Sequence, residues 1–152
     1  MKRTFAVIAS ILSLAVVGSA FLPTSSKDLI TGIFTEPTYN SLSGREGTNG
    51  PVLVVKIDDT IGARPQIGID DADVVYIEQV EGGLTRLAAV FSSVIPTRIG
   101  PIRSARISDI EILSQYGKVV FAYSGAQSKF LPVIASANLN DYGAQRQSPT
   151  IY

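Results

Sequence analysis

The sequence predicts an α/β domain, a mixed sheet with one antiparallel hairpin and flanking helices, incomplete at its C-terminus. Three observations carry that expectation. Val52 to Ile57, Val74 to Val80, Thr85 to Ser92 and Val119 to Tyr123 are short aliphatic or β-branched runs of strand length. Two of them are separated by Glu81-Gly82-Gly83-Leu84, and paired glycines supply the positive φ that a two-residue hairpin turn demands. Helical patterns fall between and after the later runs.

Taken in order, the chain opens with Lys2 and Arg3, an uncharged run from Phe5 to Leu22, and then Pro23. A basic start followed by an apolar run is the order of a secretory signal or a membrane anchor. Those 18 residues would form a helix of roughly 27 Å, just long enough for a hydrocarbon core. Gly18-Ser19-Ala20 offers the small residues of a cleavage site. Residues 1–22 are therefore expected to be a signal peptide or a membrane anchor, and the rest to lie outside the cytoplasm. The protein is either anchored by residues 5–22 or secreted after cleavage near Ala20.

Residues 23–51 are rich in Ser, Thr, Gly, Asn and Pro and read as a flexible tether. The domain proper is expected over residues 52–152. Its first run, Val52 to Ile57, has no alternation and suits a strand covered on both faces. Asp58-Asp59 end it. Gly62, Pro65 and Gly68 make Thr60 to Ile69 an irregular loop, with Arg64 held extended by the proline after it. With Gly82-Gly83 as the hairpin loop, Glu78 faces Leu87 among Tyr76, Val80 and Phe91, while Arg86 lies on the opposite side.

Ser108-Asp109-Ile110-Glu111 fits a capping box at the start of a helix over Asp109 to Tyr116, and Gly117 is placed to end it. A further strand, Val119 to Tyr123, precedes a second helix near Gln127 to Ala137. Pro132 shifts the start of that helix later. The final run SPTIY reads as the opening of another strand.

Composition narrows the function. The chain has no cysteine and no histidine, which removes disulfides, lipid attachment at a cysteine, thiolate metal sites and imidazole catalysis. No cofactor and no metal site are expected. Ser124, in AYSGA, lacks the glycine two residues earlier that a nucleophile elbow carries. Thirteen basic and thirteen acidic side chains leave no nucleic-acid footprint. Their distribution is uneven: Lys27 to Glu81 holds ten acids and four bases, Gly82 to Tyr152 three acids and seven bases. The two halves should attract each other within one fold.

Three pieces, IDDTIGARPQ, ADVVYIEQVEGGLTR and GPIRSAR, resemble the YerB-like family, bacterial proteins described as lipoproteins with a domain of unknown function. The resemblance implies an exported cell-envelope protein and a longer chain beyond Tyr152, so this sequence is expected to be a truncated form. It implies no activity.

The site residues come from the residues themselves. Arg64, Arg103 and Arg106 lie at expected loops, and guanidinium groups there suit a phosphate or carboxylate ligand. Asp58 and Asp59 end a buried strand, where α/β sheets present binding groups. The leading expectation is a non-catalytic domain that binds an anionic cell-wall polymer or envelope protein, with membrane contact through the N-terminal segment if it is uncleaved. The alternative is a hydrolase of envelope glycans or phosphoesters. It would use Asp58 and Asp59 with Glu78 or Glu81 as acid or base, with or without a divalent cation. An apolar setting would raise the Glu78 pKa and make it a proton donor. Internal ion pairing of the same arginines and acids is the bland alternative to both.

Overall fold

The computed structural model describes residues 37–144, and the leader and the SPTIY run lie outside them. Five strands form one sheet: β1 (Leu53–Asp58), β2 (Val74–Gln79), β3 (Thr85–Phe91), β4 (Val119–Tyr123) and β5 (Leu139–Gly143). Their spatial order is β2-β3-β1-β4-β5. The β2–β3 and β3–β1 ladders are antiparallel, whereas β1–β4 and β4–β5 are parallel. This is the mixed α/β sheet that the alternation of elements predicts.

β1 sits at the centre because its aliphatic run can be buried on both sides, and Val54 to Ile57 are all buried. Val54, Ala88, Val90, Val119, Phe121 and Tyr123 form one face. Against it pack Leu113 of α1 (Ser108–Ser114) and Ile134 of α2 (Leu131–Ser136). Val55, Ile57, Leu87, Ala89 and Phe91 form the other face, covered by Ile69, Ala72, Ile99 and Ile102 from the loops.

The second helix begins at Leu131, with Pro132 in its first turn, where a missing N–H costs nothing. Gly117 follows α1 with φ +73°, a conformation that favours glycine.

Two local expectations need correction. The β2–β3 connection is not a two-residue turn: Val80 N–H donates to Leu84 O, with Gly82 and Gly83 both at φ +73°, so residues 80–84 close the hairpin and the last ladder pair is Gln79↔Thr85. The register moves by one, Glu78 lies opposite Arg86 rather than Leu87, and both share a face with Ala88 and Val90. The capping box is not made either. Ser108 Oγ donates to Glu78, and Asp109 instead reaches back to the Arg106 N–H at 2.6 Å.

Part of the expected tether is folded. Asn40 is buried, its amide donating to Thr48 O and Ser92 Oγ at 3.3 Å while its oxygen accepts from Leu42 N–H. Arg45 donates to the carbonyls of Asp70 and Asp71. These polar contacts, invisible in a Ser/Gly-rich composition, hold residues 38–50 to the sheet domain, and the compact unit starts at Thr38.

Candidate functional site

The β1–β4 ladder stops at Val55↔Ala122, and a strap formed by residues 100–106 occupies the gap where the two strands part. Lys56 O accepts from Arg103 N–H at 2.7 Å, while Arg103 O accepts from Ser124 N–H at 3.0 Å. Asp58 N–H donates to Pro101 O and Ala105 N–H to Gly125 O, so the strap is pinned on both sides. The crevice beyond the carboxyl ends of parallel strands is where open α/β sheets commonly bind ligands.

Six of the sequence-predicted site residues lie at this rim, in three ion pairs. Arg103 Nε lies 3.3 Å from Asp58 Oδ2, and Arg64 Nη2 lies 2.8 Å from Asp59 Oδ1. Arg106 directs Nε and Nη2 at Glu81, each 2.9 Å from Oε2. Asp59 also accepts from Thr85 Oγ1 at 2.5 Å and from Gln66. The Thr85 bond, with Arg64 beside it, holds the Asp59 carboxyl below the usual range. Arg103–Asp58 and Arg106–Glu81 each join the basic half of the sequence to the acidic half, as the uneven charge predicts. A depression of about 260 Å³ lies beside Arg106 and Glu81 and is also lined by Gln79 and Ser108.

Glu78 stands apart from the rim. Its side chain turns into the sheet–helix interface and pairs with Lys56, a fully buried lysine that also contacts Asp109 Oδ1 at 2.7 Å. Burial works to raise the Glu78 carboxyl, but the bonds from Lys56 and Ser108 outweigh it and hold it below its ordinary value. That is the opposite of the shift an apolar setting implies, and it suits a structural anion better than a proton donor. Asp109 carries the raised pKa, pushed up to about 6 chiefly by burial.

Two charged residues of this region escape a reading of the sequence. Lys56 is one apparent break in an aliphatic run, and its partners come from β2 and α1. Arg86, opposite both Asp58 and Glu78 in the ladders, donates from Nη1 to Ser104 O at 2.7 Å. Among the described residues no three carboxylates gather to hold a metal ion.

The sheet order, the strap and the charged rim define a mixed α/β domain whose polar groups collect at one end of its parallel strands. Residues 39–152 match the N-terminal domain of a family described as "Protein of unknown function (DUF3048)", and the chain belongs to that family. It is 38% identical over 88 residues to a Bacillus subtilis (strain 168) protein named "Putative lipoprotein YerB"; the alignment covers 56% of this chain and 24% of that protein. The crystal structure of YerB from Bacillus subtilis superposes with a TM-score of 0.68 at 24% identity, covering 74% of this chain and 40% of that one. That likeness shows the fold.

Proposed function

We propose that this domain is an extracytoplasmic binding module that recognises an anionic envelope polymer or protein partner without catalysis. Arg64, Arg103 and Arg106 supply the recognition, and Asp58, Asp59 and Glu81 orient them. The leader-like start supports export, and the description of the Bacillus relative as a lipoprotein supports a membrane-associated location. Because the chain has no cysteine, tethering rests on residues 5–22 in this reading.

The observation that carries the proposal is the pairing of Arg103 and Arg64 with the consecutive acids Asp58 and Asp59 at the end of β1. Each carboxylate at the rim already holds a guanidinium, which favours binding over hydrolysis. Arg103 nevertheless remains 47% exposed on its side chain and reaches solvent. Calorimetry against cell-wall fragments tests the reading: Arg103→Ala with Arg106→Ala should abolish binding. Unchanged affinity removes these arginines from the site.

A further inference from the structure

The strap carries the guanidinium groups of Arg103 and Arg106, paired with Asp58 and Glu81, and Arg86 reaches it from β3 through Ser104 O. Of the three, only Arg86 is not paired with a carboxylate among the described residues. Arg106 is fully engaged, with Nε and Nη2 on Glu81 and Nη1 on the Ala105 carbonyl. Arg103 uses Nε on Asp58 and directs no terminal nitrogen at another described residue. Arg86 uses only Nη1, on Ser104 O.

Arg86 is the unusual member. It is half-buried and has no ion pair among the described residues, because its cross-strand neighbours are committed elsewhere, Asp58 to Arg103 and Glu78 to Lys56 and Ser108. Burial, followed by repulsion from Arg106 and Arg103, pulls its pKa down, the mark of a cation short of counter-charge. The backbone beneath these groups is stiff, since the strap is bonded to β1 on one side and to the residues after β4 on the other. Donors held in place before a ligand arrives lose little entropy on binding it.

We propose that Arg86 and Arg103 form a clamp for one singly charged oxyanion, the phosphodiester or carboxylate that recurs along an envelope polymer, with the Arg106–Glu81 pair as its side wall. The clamp rests on the anion-binding reading above and adds the contacting residue and the charge of the ligand group. Two planar forks of donors match the paired oxygens of such a group.

Calorimetry on the full chain with a polyglycerol phosphate, a polyglutamate and an uncharged glycan tests the clamp at low and high salt. The wild type should bind a charged polymer and lose affinity as salt rises. Arg86→Ala should weaken that binding about tenfold or more, the usual loss for a charged hydrogen bond. Arg86→Lys, which keeps the cation near Ser104 but not the fork, should also bind more weakly, and it decides the matter if Arg86→Ala does not fold. Arg98→Ala removes an exposed arginine outside the cluster and should leave affinity within about twofold, as surface charges away from a site do.

Which polymer binds identifies the oxyanion. If Arg86→Lys binds like the wild type while Arg103→Ala with Arg106→Ala does not, the clamp is wrong and the anion-binding reading survives. If the Arg86 variants lose thermal stability but keep affinity, Arg86 is structural and the clamp again fails. Wild type that binds neither charged polymer overturns both.

Discussion

Replacing Lys56 by Met removes the one cation from a buried cluster of three charges. Its side chain has no exposure, and the side chains of its partners Glu78 and Asp109 are only 8% and 1% exposed. Each carboxylate would keep one other donor, Ser108 Oγ for Glu78 and the Arg106 N–H for Asp109. Neither would keep a counter-charge. Breaking a buried ion pair from one side typically costs about 3–5 kcal/mol, since the remaining charge stays buried and uncompensated. At about 4 °C of melting temperature per kcal/mol for a domain of this size, Lys56→Met should melt roughly 12–20 °C lower at pH 7. Acid should narrow the gap, because protonating the stranded carboxylates removes the uncompensated charge. The assay is thermal unfolding by circular dichroism at pH 7 and pH 4. A deficit below about 1 kcal/mol at pH 7, or one that is unchanged at pH 4, would show that the three charges are not coupled as the geometry implies.

Three further outcomes follow from individual residues. The folded-state pKa of Asp109, about 6, lies above its ordinary 3.8, so the folded form keeps a proton that the unfolded chain has lost. The resulting stability is complete below pH 3.8 and disappears as pH rises to about 6. Asp109→Asn should flatten that part of the stability profile measured by urea titration; a profile with the wild-type slope refutes the assignment. At Gly143 an added Cβ would fall 2.6 Å from Cζ of buried Tyr123. Gly143→Ala should therefore cost about 1–3 kcal/mol in chemical denaturation, and a neutral result would mean that the ring moves aside without loss. Asp73 accepts from the Ser92 N–H at 2.5 Å, the Ser93 N–H at 2.8 Å and the Ser93 hydroxyl. Asp73→Ala should cost about 1–3 kcal/mol and speed amide exchange at Ser92 and Ser93, and protection equal to wild type would sink the claim.

The four apolar runs were legible because each is long enough to be a strand and is bounded by residues that break the pattern. β5 was not legible, since its sequence, Leu-Asn-Asp-Tyr-Gly, has the composition of a turn. Parallel pairing with β4 overrides that local preference, as tertiary context often does for strands. The hairpin is legible but its register is not, because Gly82-Gly83 fits both a two-residue turn and the five-residue connection that forms. A slip of one residue moved Arg86 onto the face of Glu78. The rim acids and arginines were found from composition at strand ends. Lys56 was not, because its partners lie 22 and 53 residues away and only the folded sheet brings them to it.

The buried charges and the exposed rim belong to one mechanical unit. Lys56 grips the strap twice: its carbonyl holds the Arg103 N–H, and its ammonium group holds Asp109, whose other oxygen takes the Arg106 N–H. Glu78 closes the circuit by joining the same ammonium group to Ser108 at the start of α1. An apolar cluster of equal volume could stabilise this interface as well or better, because burying charge is costly. It would not fix the backbone at residues 103, 106 and 108 together, since apolar contacts carry little direction. Hydrogen bonds do carry direction, and here they run from one lysine to the two positions whose side chains reach the rim. The lysine thus turns the central strand of the sheet into the support on which Arg103 and Arg106 are set.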